Sequence, residues 1–103
     1  MKITRIRTLV VAAPPHRNWI FVKLETDQPG LYGWGEATLE WKTRGVVGCI
    51  EDFEPIVVGR DPRNVTQILE ALNKAAFWPL GVIGLTAVSA IEQALWGIQG
   101  KDV

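Results

Sequence analysis

The sequence is short of nearly everything a self-sufficient enzyme or a membrane protein needs. Its 103 residues hold one cysteine (Cys49), one histidine (His16) and one serine (Ser89). A lone cysteine excludes an internal disulfide and fits a reducing, cytoplasmic setting. Ser89 and Cys49 both fall in helical patterns with no histidine close in sequence, so any Ser-His-Asp or Cys-His arrangement would have to be served by His16 alone. No C-x-x-C, H-E-x-x-H or D-x-D-x-D-G spacing exists, which leaves no legible metal cluster. Charge of either sign is not in excess: eleven basic residues balance eleven acidic ones. That excludes a general binder of nucleic acid or anionic membrane, which needs a basic surplus. No apolar run approaches the roughly 18 residues of a membrane span. Met1-Lys2-Ile3-Thr4-Arg5 lacks the apolar core of a signal peptide. What remains is the composition of one soluble domain, residues 1–103, with 48% apolar and 21% charged residues.

The first 40 residues read as strands and the rest as helices. Residues 3–12 are rich in β-branched types until Pro14-Pro15 stops them. From Ile20 the chain alternates, with Ile20, Val22 and Leu24 on one side and Lys23 and Glu25 on the other, the period of a half-buried antiparallel strand. Gln28-Pro29-Gly30-Leu31 has the central Pro-Gly pair of a type II turn, and residues 31–38 return as a third strand. Val46, Ile50, Phe53 and Val57 give residues 44–58 an amphipathic helical face, with Pro55 expected to kink or end it and Gly59 placed as its cap. Asp61-Pro62 reads as an acidic N-cap followed by proline at the first helical position of a helix over 62–76. A last helix over 85–99, apolar around much of its circumference, is expected to end at Gly100 and to sit centrally. The fold class is α+β: a three-stranded antiparallel meander followed by a three- to four-helix bundle.

In such a meander the β1–β2 loop lies at the same end of the sheet as the exit from the third strand. Residues 14–19 and 38–43 can therefore form one surface, bearing His16, Arg17, Trp19, Glu40, Trp41 and Lys42. That set suits a polar small molecule, anionic or neutral; the alternative is that both loops are solvated and the Trp rings cover the helices. Gly33-Trp34-Gly35 is a G-x-G inside a strand that opens no helix, so it reads as close packing against another backbone or ring rather than a phosphate cradle. Glu36 reads as an outer-face strand residue or as a carboxylate facing an interface, and Glu92-Gln93 as a solvated stripe on an apolar helix or as an N–H partner inside an interface. Phe77-Trp78-Pro79-Leu80-Gly81-Val82-Ile83 is an apolar connection expected to pack against another domain or chain.

Several stretches then meet a known pattern. Met1-Lys2-Ile3-Thr4, Tyr32-Gly33-Trp34-Gly35-Glu36-Ala37, Gly59-Arg60-Asp61-Pro62 and, above all, Ala90-Ile91-Glu92-Gln93-Ala94-Leu95-Trp96-Gly97-Ile98-Gln99-Gly100-Lys101 follow one another in order. The chain resembles the N-terminal capping domain of the mandelate racemase/muconate lactonizing enzyme family, within the enolase superfamily, over essentially its whole length.

The resemblance implies a cap on a C-terminal (β/α) barrel that is absent from this chain. It also implies a Mg²⁺-dependent enzyme that removes the proton next to a carboxylate. Barrel residues would supply the metal ligands and bases, so no catalytic or metal-binding residue, and no cofactor, is assigned within this chain, which alone should have no turnover. The cap's two specificity loops would fall around 14–19 and 38–43, with His16, Arg17, Trp19, Glu40 and Trp41 contacting or screening a small carboxylate substrate. The Gly-Trp-Gly-Glu and Gly-Arg-Asp-Pro stretches lean toward an acid-sugar dehydratase. Gly97 where many relatives have Asp, Gln99 in place of Lys, and Trp78-Pro79-Leu80-Gly81 in place of an Arg-Gly-Gly-like stretch leave racemase, epimerase and cycloisomerase open. Expected partners are the barrel domain, a second copy through residues 77–83, or both, with neither nucleic acid nor membrane. The competing class is a stand-alone binding module or a truncated product without catalysis.

Overall fold

The computed structural model describes residues 1–13, 17–75 and 80–102, with Ala13 and Arg17 described by backbone alone. Three strands, β1 (Ile3–Ala13), β2 (Arg17–Thr26) and β3 (Tyr32–Glu36), precede three helices, α1 (Thr43–Val57), α2 (Val65–Ala75) and α3 (Val82–Asp102). The strands form an antiparallel sheet in the order β1-β2-β3. The helices cover one of its faces, with α3 against β3 and β2 and with α1 and α2 beside it. Among the described residues no helix is long and apolar enough to cross a membrane.

The alternation of β2 fixes which face is covered. Ile20, Val22 and Leu24 are fully buried beneath the helices. On the opposite face Arg7 and Lys23 stand directly across from each other. That like-charge pair is relieved because each turns to another neighbour. Arg7 lies 3.7 Å from Glu25, and Lys23 sits 4.5 Å over the Tyr32 ring and 5.6 Å over Trp34. The type II turn forms as its residues dictate: Leu31 N–H donates to Gln28 O at 3.0 Å, and Gly30 takes the φ of +78° that a side chain resists.

The G-x-G of β3 is a close-approach device. A Cβ on Gly33 would run into the backbone carbonyl of Ala94, and one on Gly35 into that of Ala90. Small residues on both sides, Ala87, Ala90 and Ala94 on α3 and the glycines on β3, bring helix backbone against strand backbone. Ile91, Leu95 and Ile98 then fill the space toward α1 and α2 and are fully buried. Burying such side chains stabilises by about 2 kcal/mol each.

Helix boundaries differ from the expected ones at several points, among them the start of α3 at Val82 instead of residue 85. α1 carries Pro55 in its last turn and continues to Val57, two residues past the proline, at the cost of the one ladder bond that the N–H of position 55 would have given to the Glu51 carbonyl. Its C-terminus is pinned to β1: Gly59 (φ +93°) donates to Ile3 O at 2.8 Å, and Ile3 donates to Arg60 O at 2.8 Å. Asp61-Pro62 does not open α2. Asp61 Oδ1 accepts the Arg63 N–H at 2.9 Å, Asn64 N–H donates to Asp61 O at 3.1 Å, and the helix starts only at Val65. The acid caps a turn before the helix instead of the helix itself. Gly100 does not end α3, which runs to Asp102. Lys101 in that extra turn reaches back to the sheet, donating to Tyr32 O at 2.9 Å and lying 3.9 Å over the Tyr32 ring.

Candidate functional site at the open end of the sheet

The two loop segments are joined where described. Ala37 N–H donates to Ile20 O at 2.8 Å, and Ile20 N–H donates to the Thr38 hydroxyl at 3.1 Å. Asn18 Nδ2 donates to the Thr43 hydroxyl at 3.2 Å. The start of β2, the exit from β3 and the first residue of α1 are thus tied into one end of the molecule. An open hollow of about 480 Å³ lies there, lined by Trp19, Glu36, Thr38, Leu39 and Glu40. A neighbouring hollow of about 470 Å³ is lined by Glu36, Gly81, Val82, Leu85, Thr86 and Ser89. Glu36 lies on the wall between them, its backbone N–H held at 3.0 Å by the Gln93 amide oxygen of α3.

Of the residues expected at the site, Trp19 and Glu40 line the same hollow. Trp41 lies next to Glu40 but faces outward, 81% exposed. His16 lies outside the described residues, and of Arg17 only the backbone is described. Glu36, read as an outer-face strand residue or a carboxylate facing an interface, is exposed and belongs to both hollows. Thr38 was missed, and only the three-dimensional pairing with Ile20 reveals it.

Trp41 carries a second feature no residue pattern could reveal. Leu39–Lys42 closes as a turn, Lys42 N–H donating to Leu39 O at 3.3 Å, with Trp41 in its third position at φ +65°. Glycine or asparagine is favoured there, and a tryptophan in left-handed backbone costs about 1–2 kcal/mol. A bulky ring is therefore held outward in a conformation that local energetics oppose.

The remaining chemistry-bearing residues have structural employment. Glu92 accepts the Trp96 indole N–H at 3.2 Å, and Gln99 Nε2 donates to Arg63 O at 2.8 Å, tying α3 to the turn before α2. Burial, reinforced by nearby Asp52, pushes the Cys49 thiol up, so it stays protonated at neutral pH and is a poor nucleophile. Among the described residues no group of three His, Cys, Asp or Glu side chains could hold a metal ion. The donor set here does not fit Mg²⁺.

An α+β domain with one sheet face packed on three helices and a loop-lined open end has counterparts among known proteins. The pattern defining the mandelate racemase/muconate lactonizing enzyme N-terminal domain matches residues 5–103. The chain belongs to that family, as its N-terminal domain. It is 42% identical over 103 residues to a D-galactonate dehydratase of Xanthomonas euvesicatoria pv. vesicatoria (strain 85-10), covering 100% of this chain and 26% of that enzyme. A D-galactonate dehydratase of Verminephrobacter eiseniae (strain EF01-2) is 38% identical over 101 residues, 98% of this chain and 25% of the relative. A solved enolase from Pantoea ananatis, with bound D-gluconate and Mg, superposes with a TM-score of 0.90 at 34% identity, covering 98% of this chain and 24% of that one. The chain thus spans about a quarter of the length of the relatives it matches.

Proposed function

We propose that this domain is the substrate-specificity cap of a Mg²⁺-dependent enolase-superfamily enzyme that removes a proton next to a carboxylate, acting as a dehydratase on a sugar acid. The observation that carries this reading is the hollow shared by Trp19, Glu36, Thr38 and Glu40 at the loop end of the sheet. An aromatic wall beside carboxylate and hydroxyl acceptors suits the hydroxyl-rich end of a sugar acid, because each sugar O–H can donate to one of them. The substrate's own carboxylate would turn away from Glu36 and Glu40, toward the rest of the enzyme, where the metal and the bases would sit. Trp41, held outward next to Glu40, serves to screen the substrate from water. The similar D-galactonate dehydratases support the dehydratase reading over racemase or cycloisomerase chemistry.

Docking of the remaining three-quarters of such an enzyme has a natural landing place. Residues 77–79 of the expected apolar docking segment lie outside the described residues, and Leu80 and Ile83 pack on this domain's own core. Val82 of that segment is exposed (64%), and the exposed apolar surface continues along α3 at Leu85 (54%) and Trp96 (54%).

The test is a hybrid in which residues 1–103 replace the matching first quarter of the Xanthomonas enzyme, assayed against a panel of sugar acids. Glu40→Gln is expected to raise KM about tenfold with little change in kcat, the loss of one charge-assisted hydrogen bond to substrate. An active hybrid whose kcat/KM is indifferent to Glu40→Gln on every sugar acid would remove Glu40 from the site.

A further inference from the structure

The two outer strands of the sheet are finished differently. On β3 side chains of α3 take two of the outward-facing peptide groups, one at each end of the strand: Gln93 holds the Glu36 N–H and Lys101 the Tyr32 carbonyl. On β1 the same accounting comes out otherwise. Ile20 directs its carbonyl to Ala37 and its N–H to Thr38, both on the β3 side. Its partner across the ladder, Val10, is therefore in a non-hydrogen-bonded pair. The N–H and C=O of Val10, and those of Thr8 and Ala12 two residues to either side, point away from the sheet. Among the described residues only Ile3 finds backbone partners on that edge, at Gly59 and Arg60.

From Thr8 to Ala12 the strand also lacks the devices that usually protect an edge. It has no charge and no proline, and its one register irregularity lies far off, between Ile3 and Arg5. Leu9, Val10 and Val11 are 51%, 43% and 42% exposed.

We propose that this edge is a self-association surface, on which β1 of one chain pairs antiparallel with β1 of a second copy about a twofold axis at Val10. The two sheets would become one continuous six-stranded sheet. A second copy fits because the segment is its own complement. The axis sets Val10 opposite Val10, Leu9 opposite Val11 and Thr8 opposite Ala12, so uncharged residues meet uncharged residues. It sets Arg7 opposite position 13, so the arginine does not face its own copy. The outward-facing residues also match in phase: Thr8, Val10 and Ala12 meet Ala12, Val10 and Thr8, which gives about six inter-chain hydrogen bonds in three pairs. Growth stops at two, because the pairing is isologous and uses up the β1 edge of both copies.

Sedimentation equilibrium on the 103-residue chain from micromolar to millimolar concentration tests the proposal. The expected result is a monomer–dimer equilibrium, with amide exchange at Thr8, Val10 and Ala12 slowing as the dimer fills. Val10→Pro removes a central bridging donor without breaking a β1–β2 bond, and Val10→Lys brings two charges together on the axis. Each should weaken dimerisation at least about tenfold, the equivalent of one hydrogen bond. If Val10→Pro alters the circular dichroism of the monomer, Val10→Lys decides. A chain that stays monomeric throughout overturns the proposal. So does an open-ended aggregate, or a dimer that both Val10 variants leave intact while Leu85→Glu on α3 dissolves it.

Discussion

The seam between β3 and α3 and the turn at 39–42 lie only a few residues apart in sequence, yet they are built on opposite terms. Along the seam the residues agree with their surroundings. Glycines stand where a Cβ would collide with helix carbonyls, alanines face them, and Gln93 and Lys101 reach across to take two of the strand's outward peptide groups. At the turn, a tryptophan occupies left-handed backbone and presents most of its ring to solvent. A region in which every local choice agrees with the fold is serving the fold. A region in which a costly residue persists without being buried by its own chain is where interactions with something else are to be sought.

The comparison breaks most visibly at Gly35. Gly35→Ala places a methyl group against the Ala90 carbonyl, and neither backbone can yield without parting the strand from the helix. We expect a loss of about 3 kcal/mol, the upper end of what overpacking costs, because backbone rather than a flexible side chain is in the way. Denaturant unfolding of the variant measures it, and a loss below 1 kcal/mol would mean that strand and helix slide apart more freely than their packing implies.

The turn should respond with the opposite sign. Trp41→Gly relieves the left-handed backbone, offset in part by the greater freedom of glycine in the unfolded chain. The isolated domain should gain about 1 kcal/mol, read as a higher denaturation midpoint at unchanged m-value. In the hybrid enzyme the same change should raise KM. A variant that destabilises the domain would show that the ring is held by its own chain, and the contrast between seam and turn would lose its meaning.

How much of this was legible beforehand follows from the range of the interactions. The alternation of Ile20, Val22 and Leu24, the Pro29-Gly30 turn and the helical face of Val46, Ile50, Phe53 and Val57 are local patterns, and each appears where its spacing put it. The G-x-G was readable as close packing because the negative case was clear: no helix followed it. Partners that are far apart in sequence were not readable. The Gln93 amide meets the Glu36 N–H across 57 residues, and Gln99 meets Arg63 across 36. Gln93, Gln99 and Lys101 of the family-marking stretch thus fasten α3 to its neighbours; of the two readings open for Glu92-Gln93, the N–H partner holds for Gln93, though the sequence could not say which N–H it meets. The same limit explains the helix ends. Gly100 has the residue type of a stop, but Lys101 gains a strand carbonyl and a ring by staying helical. Asp61-Pro62 has the residue types of a start, but Arg63 claims the carboxylate first.

That last arrangement supplies the smallest effect. The Arg63 guanidinium and N–H beside Asp61 hold its carboxyl down to about 2, from an ordinary 3.8. A carboxyl lowered on folding stabilises the fold above its unfolded value and loses that contribution as pH falls through its folded value. The stabilisation is therefore full at neutral pH and drains away between pH 3.8 and about 2. Side-chain exposures of 27% for Asp61 and 53% for Arg63 leave the pair well screened by water, so its worth is below about 1 kcal/mol. Asp61→Asn should accordingly cost that amount at pH 7 and only a fraction of it by pH 2, whereas the Gly35→Ala penalty should be the same at both. A pH-independent Asp61→Asn penalty would assign the effect to turn geometry, since asparagine would then be failing to hold the Arg63 N–H, and not to the charge.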